Sequence, residues 1–264
     1  MISILMAAGK GKRMKSELPK VLIPFDGKPM IVRTLDVLTR LGSQSVVVVP
    51  QQHSSFEPVF DAFKEVRFCA QLNQKGTADA IASAHAFFPQ QPKPVYSSSS
   101  LVKGAPLIEV DPSTPCILMA GDLPCLSLEV IQKFCSDFSN LKADVAVLGF
   151  EPPDPFGFGR LICAESGELL RIVEEKDATP AERKLTLCNS GIILTKFGYL
   201  FDLLSRVGTK NAQNEYYLTD IIGIAVKDGL KVVATLGQPW QALTGVNTKE
   251  QLQKLEKWYK IKQA

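Results

Sequence analysis

Five basic side chains, Lys10, Lys12, Arg13, Lys15 and Lys20, crowd a stretch that also contains Gly9 and Gly11. Glycine permits a tight turn. Backbone N–H groups in such a turn can point at an anion, because no side chain holds the anion away. The chemistry this pattern suits is the cradling of a polyphosphate. Neither of the two commonest phosphate loops is present: the P-loop needs four residues between its glycines and then Lys-Ser/Thr, and the dinucleotide fingerprint needs a third glycine where Met14 stands. Farther along, Gly121-Asp122 follows the apolar run Cys116–Met119. A carboxylate there can hold a cation or cap a helix, and Gly121 is expected to leave room for phosphate. The two histidines, His53 and His85, lack partners for a relay or a zinc site, so whatever chemistry occurs is expected to proceed without histidine.

These groups must be positioned by regular elements. Apolar runs at Ile2–Met6, Ser45–Val49, Val66–Ala70, Cys116–Met119 and Ala143–Phe150 read as strands. Helical periodicity falls between them at Met30–Leu41, Phe56–Lys64, Thr77–Phe88 and Leu128–Phe138. The alternation predicts an α/β fold with a mostly parallel sheet covered on both faces, and ligands then bind at the carboxyl ends of the strands. In the second half, Gly159–Ala164 and Glu168–Val173 read as a hairpin, followed by a strand at Leu187–Leu194, a helix at Tyr217–Val226, a strand at Lys231–Leu236 and a closing helix at Lys249–Trp258. The segment 89–115 carries six prolines and the run Ser97–Ser100, so a long surface loop with no regular element is expected. No clear linker divides the chain, which reads as one domain over 1–264 with halves at 1–150 and 151–264.

Composition narrows the partners. The chain has 264 residues, 45% hydrophobic and 22% charged, with a net charge of +3, far from the excess expected of a nucleic-acid-binding protein. No apolar stretch is long enough for a membrane-spanning helix, and the first residues lack the basic-then-apolar order of a signal peptide. Six cysteines without Cys-x-x-Cys spacing read as reduced thiols, so a cytoplasmic location is expected, without membrane or nucleic-acid partners.

The string Ala7-Ala8-Gly9-Lys10-Gly11-Lys12-Arg13-Met14 with Leu18-Pro19-Lys20 resembles the signature of the sugar-phosphate nucleotidylyltransferases, the pyrophosphorylase superfamily. Further stretches align in order: Gln71 through Thr77, Ala120-Gly121-Asp122-Leu123-Pro124, Phe158-Gly159-Arg160-Leu161, Ile172 through Ala178, Asn189-Ser190-Gly191-Ile192, Asn211 through Asp220, and Gly245-Val246-Asn247. Together they resemble the uridylyltransferase domain of the bacterial N-acetylglucosamine-1-phosphate uridyltransferases over nearly the whole chain. The resemblance implies a Rossmann-like nucleotide-diphospho-sugar transferase fold, with the nucleotide on 1–150 and a smaller sugar-facing part on 151–264. It implies transfer of UMP from UTP to N-acetylglucosamine-1-phosphate, assisted by Mg²⁺.

By the same resemblance, Arg13 and Lys20 are the catalytic cations, clamping the β- and γ-phosphates. Met6, Ala7, Ala8, Gly9, Lys20, Gln71, Gly76 and Thr77 meet the nucleotide, with the Gln71 amide offering donor and acceptor to the imide edge of uracil. Thr77, at a helix start, equally suits a cap. Gly159, Glu174, Asn189, Tyr217 and Thr219 surround the sugar, and Asp122 with Asn247 holds Mg²⁺. Lys10, Lys12 and Lys15 are expected to be solvated. Met6, Ala120 and Ser190 depart from the family pattern, Ala120 standing where a bulkier, often aromatic residue is usual. The β-helix repeats that commonly follow this domain are not in the sequence, so no acetyltransferase activity and a monomer or weak homo-oligomer are expected. Two alternatives remain: another sugar phosphate or pyrimidine nucleotide, and a catalytically silent subunit that senses nucleotide sugars.

Overall fold

The computed structural model describes residues 1–9, 11–104 and 108–263. Lys10, the side chain of Lys12 and positions 105–107 of the proline- and serine-rich segment lie outside the described residues. Strand β1 (Ile2–Met6) leads through a short hairpin, β2 (Pro24–Phe25) and β3 (Lys28–Pro29), into α1 (Met30–Arg40). Then come β4 (Gln44–Pro50), α2 (Glu57–Ala62), β5 (Arg67–Gln71), α3 (Thr77–Ser83), β6 (Ser99–Lys103), β7 (Pro115–Ala120), α4 (Leu128–Asn140) and β8 (Val145–Phe150). The second half supplies β9 (Arg160–Cys163), β10 (Leu169–Val173), β11 (Cys188–Lys196), α5 (Phe197–Ser205), α6 (Asp220–Lys227), β12 (Val232–Leu236) and α7 (Lys249–Gln263).

One sheet draws strands from both halves. Its main run is β12-β8-β11-β7-β1-β4-β5-β6, and the β9–β10 hairpin joins it at the start of β11. Six of these strands run one way; β11 and β6 run against them. Side chains alternate across the sheet, as the strand period of two demands. Ile2, Ile4, Val46, Val48, Cys116 and Leu118 pack on one face with Ala78, Ile81, Leu200, Phe201, Ile221 and Ile222 of α3, α5 and α6. Leu5, Val47, Val49, Ile117 and Met119 pack on the other with Ile31, Leu35, Val59, Ile131 and Phe134 of α1, α2 and α4. Each Val, Leu, Ile, Phe or Met among them contributes about 1.5–3 kcal/mol on burial, so the two apolar faces fix the sheet between its helices. No helix among the described residues is long and apolar enough to cross a membrane.

Register decides what meets at the functional edge. Met6 at the end of β1 lies opposite Ala120 at the end of β7, and Pro50 of β4 lies opposite Gln71 of β5. The glycine turn, Gly121-Asp122 and Gln71 therefore emerge from one edge. Because β11 is reversed, its first residues, Cys188 and Asn189, pair with Phe150 and Gly149 at the end of β8 on that edge too.

One expectation fails. Within 89–115, β6 pairs antiparallel with β5, Ser99 opposite Gln71 and Leu101 opposite Cys69. The prolines of this segment fall on either side of Ser99–Lys103, and an edge strand tolerates serines and a lysine because one of its sides needs no partner. Tyr96 in the same segment is buried rather than solvated.

Candidate active site

Lys20 enters the site on a single helical turn, Lys20–Leu22, anchored by buried Val21 and Leu22. The preceding turn passes close to it. Gly11 has φ +56°, and a Cβ there would lie 2.6 Å from the Lys20 Cβ, so only glycine lets the two strands of this loop approach. The ammonium then makes two bonds that tie distant parts of the chain together. It forms an ion pair with the carboxylate of Asp122, which is 5% exposed, and it donates to Asn247 Oδ1 at 3.1 Å.

Asp122 is held from behind, its carbonyl accepting the Val246 N–H at 3.1 Å. Asn247 is held by the start of α7. Thr248 Oγ1 accepts the Gln251 N–H at 3.2 Å, and Gln251 Oε1 accepts both the Thr248 N–H (3.2 Å) and the Asn247 N–H (2.7 Å). That reciprocal pair is a capping box, and here it also fixes the residue before the cap. Gly121 does not leave room for phosphate as expected. A Cβ on it would meet Ile31 at 3.3 Å and Val21 at 3.5 Å, so its small size accommodates core side chains.

A cleft of about 610 Å³ opens beside this corner, lined by Met6, Ala8, Gly9, Lys20, Gln71, Gly76, Thr77, Ala120 and Asp122 among others. A second recess of about 480 Å³ shares Ala8, Gly9, Gln71 and Gln74 with it. Of the expected nucleotide residues only Ala7 lines neither; it is buried, and its N–H bonds Val48 O at 2.8 Å. No described residue lies within 4 Å of where a Cβ on Gly9 would stand, its chain neighbours aside, which suits close approach by a ligand. Gln74 Nε2 donates to Ala8 O at 2.8 Å and so ties the Gln71–Gly76 loop to the glycine turn.

Gln71 does not present both ends of its amide. Its Nε2 donates to Asp79 Oδ2 at 2.7 Å and to Gly76 O at 3.2 Å, so among the described residues only Oε1 is left without a partner. Thr77 caps nothing in its own helix; its hydroxyl accepts the Leu218 N–H at 2.8 Å. Gly76, at φ +132°, would set a Cβ 2.5 Å from Tyr216 O, so glycine is required where these loops cross. Arg13 is not brought to the others: it lies exposed on the turn Lys12–Met14 and lines neither cavity.

The five expected sugar residues group around the end of β10. Thr219 Oγ1 donates to Glu174 Oε1 at 3.2 Å, Asn189 N donates to Gly159 O at 2.8 Å, and a Cβ on Gly159 would touch Glu174 Oε2 at 3.4 Å. Tyr217, two residues from Thr219, is buried. None of the five lines the 610 Å³ cleft, but Lys176, Gln213 and Glu215 beside them do. Burial pushes the Glu174 carboxyl above the usual range, with Asp177 and Asp220 adding to it and the Thr219 hydroxyl opposing it. Burial likewise raises the Tyr217 phenol, helped by the charges of Asp177, Glu174 and Glu215. Lys176, Gln74 and Asp79 were not singled out from sequence. Lys176 and Gln74 do sit inside the strings that carry the resemblance, which was the available signal; Asp79 carries none.

Asp122 and Asn247 direct two hard oxygen donors at one position, that of the Lys20 ammonium. Mg²⁺ binds through one or two protein oxygens and completes its shell with substrate phosphates, so this donor set fits it. No group of three or more His, Cys, Asp or Glu side chains able to hold a metal occurs among the described residues, so no all-protein cage competes with that arrangement.

Polar groups gathered at the carboxyl ends of a mostly parallel sheet are where open α/β proteins take their ligands; this chain is an α/β domain of that class. It belongs to the MobA-like NTP transferase domain family, whose model matches residues 3–185. It is 36% identical over 264 residues to the bifunctional protein GlmU of Cupriavidus necator, covering 99% of this chain and 52% of that protein. Identity to the bifunctional protein GlmU of Nitrosospira multiformis is 37% over 263 residues, with the same coverage of 99% and 52%. The chain thus spans about half the length of the curated relatives it matches. Its fold is also that of UDP-glucose pyrophosphorylase solved with UDP-glucose (TM-score 0.71, 18% identity, 99% of this chain and 100% of that one). A putative glucose-1-phosphate thymidylyltransferase from Bacillus anthracis shares it as well (TM-score 0.69, 19% identity, 98% and 94% covered).

Proposed function

We propose that this domain transfers UMP from UTP to N-acetylglucosamine-1-phosphate, giving UDP-N-acetylglucosamine and pyrophosphate. The observation that carries the reading is the convergence of Lys20, Asp122 and Asn247 beside the cleft lined by Gly9, Gln71 and Gly76. An oxygen of the sugar phosphate attacks the α-phosphorus, a new P–O bond forms, and the bond to the β-phosphate's bridging oxygen breaks. The nucleophile is already an anion, so no general base is required, which suits a site without histidine. His53 and His85 bond the backbone carbonyls of Gln51 and Gln91 and line neither cavity.

The remaining barrier is charge and orientation. The Lys20 ammonium, paired with Asp122 in the ligand-free chain, turns to the β- and γ-phosphates and offsets charge growing on pyrophosphate. Asp122 and Asn247 would hold Mg²⁺, whose charge would offset that of the phosphates. Backbone groups at Ala8 and Gly9 receive the triphosphate, Gln71 and Gly76 the base. Glu174, Asn189, Tyr217, Thr219 and Gly159 orient the sugar, and Arg13 reaches the phosphates from the exposed turn.

The test is Mg²⁺-dependent pyrophosphate release from UTP, comparing N-acetylglucosamine-1-phosphate with glucose-1-phosphate. Preference for the acetylated sugar supports the full reading. Equal use keeps the reaction and discards the sugar assignment. Binding without release points to the sensing subunit.

A further inference from the structure

Asp79, in α3, is fully buried and has no part in the reaction above. Its Oδ2 accepts two bonds, from Gln71 Nε2 at 2.7 Å and from the Lys75 N–H at 2.9 Å. Its Oδ1 is buried with no partner among the described residues. A carboxylate oxygen left without a donor inside a protein costs stability, so the arrangement calls for a reason beyond packing.

The geometry at Gln71 supplies one. Both groups its Nε2 meets, the Asp79 carboxylate and the Gly76 carbonyl, are acceptors, so the NH₂ end of the amide is assigned without ambiguity. The opposite end, Oε1, accepts no bond from a described residue and is not among the buried unpaired atoms. It therefore opens onto the cavities that Gln71 lines. A glutamine free to turn its amide over would offer either a donor or an acceptor there.

We propose that Asp79 is a specificity-determining positioning residue: with the Gly76 carbonyl it holds both Gln71 Nε2–H groups inward. The base then meets a single acceptor, and the site selects a pyrimidine whose N3 carries a hydrogen over one whose N3 is a bare acceptor. This rests on the nucleotide reading given above. Uracil donates its N3–H to Oε1; cytosine sets a lone pair against a lone pair.

The experiment measures UTP and CTP binding by calorimetry and their turnover by pyrophosphate release, on the whole chain and on Asp79→Ala and Asp79→Asn. The native chain is expected to favour UTP. Asp79→Ala is expected to lower the UTP:CTP ratio about ten- to a hundredfold, the range set by one unmatched polar group, with KM for the sugar phosphate unchanged. Asp79→Asn, which can still turn an oxygen toward Gln71 and Lys75, is expected to keep the ratio within about threefold, well inside that range. A folded Asp79→Ala with the native ratio overturns the proposal, since a purely structural residue would not alter base choice. Should Asp79→Ala not fold, N3-methyl-UTP decides on the native chain: binding at least about tenfold weaker than UTP is expected, and equal binding overturns the proposal. UTP binding that discriminates against CTP without any turnover would sink the proposed reaction and leave this inference standing; equal binding of UTP and CTP by the native chain would overturn the inference alone.

Discussion

Leu218 donates its backbone N–H to the Thr77 hydroxyl at 2.8 Å, across 141 residues of chain. Two backbone bonds flank it, Ala78 N to Tyr216 O and Tyr216 N to Lys75 O, each 2.9 Å. The loop that carries Gly76 and Thr77 is thereby zipped to the loop that leads into Tyr217 and Thr219. Tyr96 braces the zipper from behind, its ring stacked on Tyr216 with centroids 3.9 Å apart and its hydroxyl bonded to Leu204 O. The 71–77 loop and the loop leading into Tyr217 and Thr219 are therefore tied to each other directly.

Thr77→Val keeps the shape of the side chain and removes the acceptor for the Leu218 N–H. Leaving that group unpaired is expected to cost about 1–3 kcal/mol. Denaturant unfolding reads the loss, and KM should rise for both substrates because the two loops lose their shared tie. A rise confined to one substrate would show that the loops are set independently.

Lys20→Ala removes the donor assigned to the leaving group, and turnover is expected to fall about a hundredfold, equivalent to about 3 kcal/mol. The same change leaves the nearly buried Asp122 without its ammonium partner. Added Mg²⁺ should then raise the melting temperature of the variant more than that of the native chain, in which Lys20 competes for the same oxygens. Equal shifts would argue that Asp122 and Asn247 are not where the metal binds.

Thr248→Ala breaks the capping box before α7 at a cost of about 1 kcal/mol. Because Gln251 also holds the Asn247 N–H, the effect should reach the proposed Mg²⁺ position. The half-saturating Mg²⁺ concentration is expected to rise, with KM for the sugar phosphate unchanged. A change in stability alone would confine the box to a structural role.

Glu174 has a folded-state pKa raised by burial, then by Asp177 and Asp220. The folded chain thus binds its proton more tightly than the unfolded chain does. Stability from this group falls as pH rises from the ordinary glutamate value through the raised one, and is recovered on acidification. Glu174→Gln, neutral throughout, should melt higher than the native chain at pH 7, with the difference shrinking toward pH 4.5. A gap that stays constant over that window would show that ionisation of Glu174 does not strain the fold.

Much of this chain was legible locally. Ile2–Met6 is a strand with the expected bounds, and the antiparallel hairpin lies where Gly159–Val173 placed it, because alternation and glycine turns are properties of neighbouring residues. The glycine turn and Asp122 were visible as chemistry, since their types and places beside apolar runs are local too. Sequence alone did not show that Ser99–Lys103 would pair with β5, that β11 would run against its neighbours, or that Gly121 would serve Ile31 instead of phosphate. Those outcomes depend on which strand finds which edge, and a segment's own pattern carries no record of its partner. Asp79 is the clearest case: its spacing marks only a residue on a short helix, and the bond to Gln71 appears once β5 and α3 are packed. Residue types and resemblance had named Lys20 as a phosphate-clamping cation and Asp122 with Asn247 as metal ligands. Tertiary structure alone brought them, 102 and 227 residues apart, within reach of one ammonium, because register aligns β1 with β7 and the cap of α7 holds Asn247 against them.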